Sequence, residues 1–209
     1  QTCALPIYRF ELSFFNIFEN SARQLLDDFS PDRYADTVGG ERVHLLVVGF
    51  GQLGECVLLQ AAKIGHYANG KELCVTVIDR EAKKKEAMFR LRYPQLDQAC
   101  EARFLQMDTK SPAFHEGSFL REAEGICPLT AIYVCLDDES HVLSCALTLR
   151  PKLARSNTPI VVRMREDAGF AALLRNRKAK QANEKPLHAF GMIHLTCRRE
   201  MVLNDVQDR

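Results

Sequence analysis

HLLVVGFGQLGE, residues 44–55, joins an apolar run to three glycines in the spacing G-x-G-x-x-G and then continues in a helical pattern. A chain that leaves a strand and turns tightly into a helix needs backbone freedom at Gly49, and Gly51 lets a pyrophosphate approach the main chain. Gly54 lets the helix pack close to the strand. The exposed amides and the positive dipole end of that helix suit an anion. Because the glycines lie between a strand pattern and a helix pattern, they predict a dinucleotide-binding turn.

The remainder of the chain alternates short apolar runs with helical patterns. Such runs separated by helices are typical of a parallel sheet that is covered on both faces. The sequence therefore predicts an α/β fold with a doubly wound parallel sheet of the Rossmann type. The predicted strands are 44–48, 74–78, 102–106, 131–136, 160–164 and 187–190, and the predicted helices are 52–64, 81–92, 113–123, 139–150 and 167–175.

The length of 209 residues suffices for one core and a small appendage. QTCALPI, at residues 1–7, looks like the translation of a short-read sequencing adapter, and we exclude it from fold reasoning. Residues 8–40 carry too little apolar surface to stand alone and are interpreted as a helical connector. We expect a single nucleotide-binding domain over residues 41–195, and residues 196–209 are interpreted as the start of a truncated C-terminal region.

Composition narrows the class of protein. The formal net charge of +1 gives no electrostatic argument for a nucleic-acid partner. No stretch reaches the roughly 18 apolar residues of a membrane-spanning helix, so we expect a soluble chain with any membrane attachment outside it. The eight cysteines form no C-x-x-C pair and several fall in apolar segments. They are interpreted as reduced, buried thiols of a cytoplasmic protein rather than as a disulfide framework or a zinc site.

The second predicted strand ends in an acid, Asp79. A carboxylate at this point can accept hydrogen bonds from both ribose hydroxyls and would repel a 2′-phosphate, which favours NAD or an adenosine nucleotide over NADP. Its distance from the glycines exceeds the usual spacing of about 20 residues, and the loop HYANGKEL supplies the excess. Two alternatives stay open. Asp79 can cap the following helix, and Arg80 can stack on adenine or reach a phosphate, so NADP is not excluded.

Five segments, in this order, resemble the TrkA-N or RCK domains that regulate potassium channels and transporters: HLLVVGFGQLGE, VTVIDRE, FLQMDTKS, AIYVCLDDES and PIVVRMRE. The resemblance extends over about residues 41–195. In particular, the sequence is similar to bacterial channel-like proteins that carry this domain behind a transmembrane pore.

This resemblance implies a nucleotide that lies across the carboxyl ends of the strands, with NAD(H) as the first expectation and ATP or ADP as the other. The third segment departs from the family, because it reads MDTK where a Gly-Asp pair followed by small residues is usual. Arg163 matches an arginine that is common on the fifth strand, and a structural ion pair explains it equally well. The predicted cofactor-binding residues are Gly49, Phe50, Gly51, Gln52, Leu53, Gly54, Asp79, Arg80, Asp108, Thr109, Leu136 and Asp137.

An enzyme reading finds little support in the sequence. A dehydrogenase needs an acid or base near the reacting carbon, usually from a second domain or a long insertion. Tyr67 and Lys71 match the spacing Y-x-x-x-K of short-chain dehydrogenases, but they straddle an Asn-Gly turn rather than share a helical face. The six histidines show no metal spacing, and the acids at 137–139 are interpreted as helix caps. We predict no catalytic residue and no metal ligand.

The hypothesis that joins these points is a nucleotide-sensing regulatory domain at the cytoplasmic face of a membrane. The resemblance implies a homo-oligomer whose partner is the pore of a potassium channel or transporter, encoded upstream in the same chain. One alternative is an NAD-dependent oxidoreductase fragment that lacks its catalytic domain. Another is a Rossmann-like interaction module with an empty pocket.

Overall fold

The computed structural model describes residues 16–33, 42–67, 70–153, 158–165 and 187–192, without the side chain of residue 126. In this part of the chain, helices flank a sheet of six strands, and every strand pair is parallel. The strands are β1 (His44–Val48), β2 (Leu73–Asp79), β3 (Cys100–Gln106), β4 (Ala131–Val134), β5 (Ile160–Met164) and β6 (Leu187–Gly191). The helices are α1 (Ile17–Asp28), α2 (Gln52–Ile64), α3 (Ala82–Arg92), α4 (Leu96–Ala99), α5 (Pro112–Glu116), α6 (Ser118–Ile126) and α7 (Glu139–Leu149), with a 3₁₀ turn at Arg150–Lys152.

The strand order is β3-β2-β1-β4-β5-β6, which confirms the doubly wound prediction. The chain builds outward from β1 in one direction through β2 and β3, and then in the other direction through β4, β5 and β6. The order therefore reverses between β1 and β4. In open α/β sheets, the connections on the two sides of such a reversal diverge and leave a crevice at the carboxyl ends of the strands.

Two apolar clusters cover the two faces of the sheet, and alternate residues of each inner strand enter opposite clusters. Leu45 and Val47 of β1 pack with α1 and α2, whereas Leu46 and Val48 pack with α6 and α7. Successive side chains of a strand point to opposite faces, so a strand buried on both faces must be apolar throughout. This is why β1 reads as a continuous apolar run rather than an alternating one.

The described part of the connector segment, residues 16–33, contains the helix α1, which packs on the domain. Asn16 caps α1 by accepting a hydrogen bond from the Phe18 amide at 3.0 Å. The buried face of α1, which includes Leu25 and Leu26, joins the same apolar cluster as α2. After the helix, the Phe29 carbonyl accepts a hydrogen bond from the Tyr133 hydroxyl at 2.8 Å.

Several predicted elements differ from the structure, most of them by one or two residues at an end. The helix predicted over 113–123 is two helices, α5 and α6, because Gly117 takes a φ of +75° and ends the first one. The strand predicted over 131–136 ends at Val134, after which the chain leaves the sheet. The helix predicted over 167–175 lies outside the described residues, as do residues 1–7 and 196–209.

Within the described ranges, none of the helices combines the length and the apolar character needed to cross a membrane.

Candidate functional site

A crevice of about 310 Å³ opens at the carboxyl ends of β1, β2, β3 and β4, where the strand order reverses. Many of the residues predicted to bind a cofactor line it. These are Gly49, Gly51, Asp79, Arg80, Asp108, Thr109, Leu136 and Asp137. Residues that were not predicted to bind a cofactor also line it, namely Ile78, Lys85, Met107, Lys110, Cys135, Asp138 and His141.

The three glycines of the turn differ in what surrounds them. Gly49 has a φ of +94°, and a Cβ atom there would come within 2.8 Å of the Leu136 side chain. A Cβ atom on Gly54 would collide with the carbonyl oxygen of Gly49. At Gly51, by contrast, no atom of the described residues lies within 4 Å of such a Cβ atom. The fold therefore explains the first and third glycines, whereas no contact among the described residues requires the second.

The helix that follows, α2, begins beside this open space. Gly51 is its N-cap residue, and in the described part of the chain no side chain caps its first amides. The first turns of a helix leave backbone N–H groups without intrahelical acceptors, and these attract anions. The open space at Gly51 and the start of α2 thus form one anion-accepting corner of the crevice.

Asp79 is buried at 8% exposure and already holds three protein donors. Its Oδ2 accepts from the Phe50 amide and from Lys85 Nζ, both at 2.8 Å, and its Oδ1 accepts from the Glu81 amide at 2.8 Å. Burial opposes ionisation, but donation from Lys85 and from the two amides outweighs it, so the pKa of Asp79 is lowered. The carboxylate faces the crevice and at the same time ties the glycine turn to the start of α3.

Asp79 has a structural role, but not the helix cap that was left open beside the ribose role: the N-cap residue of α3 is Glu81, and among the described residues no side chain caps this helix. The amide of Glu81 immediately precedes α3, so the contact fixes the chain just ahead of that helix. Lys85 lies on α3, six residues after Asp79, and its ammonium group forms the ion pair. Arg80 is exposed on the rim of the crevice.

The far wall of the crevice comes from the segments after β3 and β4. Thr109 Oγ1 lies 2.9 Å from His141 Nε2, so these two side chains connect the segment after β3 with the segment after β4. Asp138 caps α7 by accepting from the His141 amide at 2.7 Å, in line with the predicted helix cap. Asp137 pairs with the buried Arg163 of β5, which bears out the ion-pair reading of that arginine.

The other predicted residues lie next to the crevice but not in its wall. The Phe50 ring is fully buried against Phe89 and Phe104, with ring centroids 5.2 and 5.1 Å away, and only its amide reaches Asp79. Leu53 is also buried in the core. Gln52 is exposed and borders a separate groove beside α1.

Tyr67 lies far from this chemistry. It belongs to the connection from α2 to β2, which returns the chain to the amino ends of the strands, opposite the crevice. Burial, reinforced by Asp32, raises the pKa of its phenol to about 12. Neither Tyr67 nor Lys71 lines the crevice. The Y-x-x-x-K spacing therefore has no catalytic geometry in the described residues.

Comparisons of the chain with models of known protein families and with curated proteins found no match.

Proposed function

We propose that this chain is a nucleotide-sensing regulatory domain that binds an adenine nucleotide, preferentially NAD(H), in the crevice and thereby biases a potassium channel or transporter. The observation that carries the proposal is the unfilled space at Gly51, beside the uncapped start of α2 and in the same crevice as Asp79. Glycine at that position is unexplained by contacts within the described protein. A pyrophosphate that approaches the backbone explains it.

Asp79 has room for a ribose in addition to its protein donors. An ionised carboxylate offers about four acceptor positions, and the Phe50, Glu81 and Lys85 groups occupy three. One ribose hydroxyl can take the remaining position. A second can replace the Lys85 ammonium, since the Lys85 side chain is flexible and 29% exposed.

The charges in the crevice favour a dinucleotide over a triphosphate. Four carboxylates, on Asp79, Asp108, Asp137 and Asp138, face three cations, on Arg80, Lys85 and Lys110. A triphosphate would place more negative charge beside these acids than the two phosphates of NAD(H) do. The volume of about 310 Å³ is at the lower end of small-molecule pockets, so we expect the adenosine part to lie inside and the rest to extend across the strand ends.

Sensing needs only a difference in affinity between two conformations of the domain. A ligand that binds one of them tenfold more tightly shifts the equilibrium by about 1.4 kcal/mol. The crevice joins the turn after β1 to the segment after β4, which is held by Arg163 of β5. A ligand that contacts both sides can therefore change the position of the segment after β4 relative to the turn after β1.

Calorimetry on the purified chain with NAD, NADH, ATP and ADP tests the binding step. We expect saturable binding that is strongest for NAD or NADH and is weakened at least tenfold in Asp79→Asn. An absence of heat with all four nucleotides would favour the interaction module with an empty pocket.

The regulatory step has a separate test. The first step is to clone the gene upstream of residue 1, and we expect that region to encode pore helices. Potassium flux through the encoded protein is then measured with and without the nucleotide that calorimetry selects, and we expect the flux to depend on that nucleotide. A substrate-binding domain in that region, together with hydride transfer to or from the nucleotide, would instead support the oxidoreductase alternative.

A further inference from the structure

A second cluster of reactive side chains lies at the amino ends of the strands, opposite the crevice. One potential ligand atom from each of His44, Cys74 and Cys127 lies within 4.8 Å of the other two. His44 and Cys74 are fully buried, whereas Cys127 is half-buried. The cluster therefore reaches solvent through one member.

The sheet itself brings these residues together. His44 opens β1 and is the register partner of Cys74 on β2. On the other side of β1, the Thr130 amide donates to the His44 carbonyl at 2.8 Å, which fixes the segment that leads into β4 and carries Cys127. Two of the three side chains are thus held by strand pairing at the centre of the fold.

Hydrogen bonds orient the imidazole of His44. Nδ1 lies 2.9 Å from the Cys127 carbonyl oxygen and Nε2 lies 2.8 Å from Thr76 Oγ1. A carbonyl can only accept, so Nδ1 carries the proton here, whereas the Thr76 hydroxyl can either donate or accept. Either ring nitrogen can therefore be freed while the other keeps a partner within the protein. Histidines that bind metals usually donate their second nitrogen in this way.

We propose that His44, Cys74 and Cys127 bind a thiophilic metal ion, with Zn²⁺ as the preferred occupant and a solvent molecule as its fourth ligand. Two thiolates and one imidazole suit Zn²⁺, and a site with three protein ligands leaves one position open. Bonds of about 2.3 Å to sulfur and about 2.0 Å to nitrogen place the ligand atoms of a tetrahedral ion somewhat under 4 Å apart. The cluster reaches that geometry with shifts of about an ångström.

The surrounding charges agree with a divalent ion. Two thiolates balance the charge of Zn²⁺. The positive charge of Arg42 acts on both thiols, and Arg42 is already paired with Glu101 at 2.6 Å. The sulfur atoms of Cys74 and Cys127 lie within 4.8 Å of each other, so a single ion can contact both.

The test uses Co²⁺ as a spectroscopic probe on the reduced 209-residue chain, followed by Zn²⁺ competition. We expect one Co²⁺ per chain, a thiolate-to-cobalt charge-transfer band, tetrahedral d–d bands, and loss of both signals when Zn²⁺ is added. Cys127→Ser should weaken binding by more than the roughly 10–100-fold that loss of an outer partner costs. Cys56→Ser is the matched control, because Cys56 is also a half-buried free thiol, on α2. It should leave the affinity unchanged.

A second measurement does not depend on the variants. Zn²⁺ should protect Cys127, and not Cys56, from alkylation in the unaltered chain. The proposal fails if the reduced chain binds no Co²⁺, if Co²⁺ binds without thiolate bands, or if alkylation of Cys127 is unaffected by Zn²⁺. It also fails if Cys74 and Cys127 are recovered as a disulfide that the usual thiol reductants do not open.

Discussion

Gly51 and Gly54 are three residues apart in one turn, and the same substitution should affect them differently. Gly54→Ala forces a methyl group against the Gly49 carbonyl, and overpacking of this kind costs about 1–3 kcal/mol. Gly51→Ala meets open space in a residue with a φ of −89°, so we expect a change below about 1 kcal/mol, the scale of an N-cap substitution. Chemical denaturation of both variants measures the difference. Equal losses of unfolding free energy would contradict this account of the turn.

The carboxylate of Asp79 should make the stability of the domain depend on pH. Its folded pKa is lowered, so its contribution is present above the pKa of the unfolded chain, about 4. That contribution is lost as the pH falls from there through the folded pKa. Asp79→Asn should cost about 1–3 kcal/mol at neutral pH, the range for hydrogen bonds to charged groups.

Urea titrations between pH 7 and pH 2.5 check this expectation. The stability curve of Asp79→Asn should approach that of the unaltered chain at the acidic end. Asp27→Asn, at an exposed site of α1, serves as the control. A constant difference between Asp79→Asn and the unaltered chain over the whole range would show that Asp79 does not act through its charge.

The sequence predicted the residues of the site whose role is local. A glycine spacing and an acid at a strand end can be recognised because both features depend only on residues that are close together in the sequence. Lys85 and His141 could not be recognised in this way, because each lies in the crevice only through the packing of its helix. Cys74 and Cys127 were predicted to be reduced, buried thiols rather than part of a zinc site. Cys74 lies 30 residues after His44, and Cys127 lies 53 residues after Cys74. These separations match no local metal motif, and only strand pairing brings the three residues together.

Among the elements, α1 belongs energetically to the sheet domain. Leu25 is 1% exposed and packs in the cluster that includes α2, so Leu25→Ala should cost about 2–5 kcal/mol of unfolding free energy. Asp27→Ala, two residues away on the exposed face, should remain within about 0.5 kcal/mol. Thermal and urea denaturation would measure both. A small effect of Leu25→Ala would mean that α1 is a detachable connector.

Two strands and one helix, β1, β5 and α2, were predicted with the bounds that the structure has. A strand buried on both faces must be apolar throughout, which made β1 and β5 recognisable. The break between α5 and α6 was missed because one glycine within a helical pattern is usually tolerated. Here the positive φ of Gly117 ends α5, and α6 starts directly after it.

At the scale of the whole molecule, different side chains gather at the two ends of the parallel strands. The crevice lies at the carboxyl ends, and the cluster of His44, Cys74 and Cys127 lies at the amino ends. Strand polarity accounts for the separation, because the segments that leave β1, β2, β3 and β4 line the crevice, whereas His44, Cys74 and Cys127 lie where β1, β2 and β4 begin. The doubly wound parallel sheet was predicted from the alternation of strands and helices, and right-handed crossovers leave few arrangements of such a sheet. The ligand and the coupled pore are not determined by that order, because one fold carries many functions.

A nucleotide that binds only the folded chain should also stabilise it. At a concentration 100 times its dissociation constant, a single-site ligand adds about 2.7 kcal/mol to the free energy of unfolding. We expect NADH to raise the melting temperature of the unaltered chain in a concentration-dependent manner. The same titration on Gly54→Ala would show whether a distorted turn still binds.

The most direct test of the nucleotide site is a calorimetric titration of NADH into the unaltered chain and into Gly51→Ala, with circular dichroism to verify that both are folded. We predict saturable binding at one site per chain, and at least a tenfold weaker affinity in the variant, because its methyl group occupies the position of the pyrophosphate. Equal affinities in the two proteins, or no binding to either, would contradict the account.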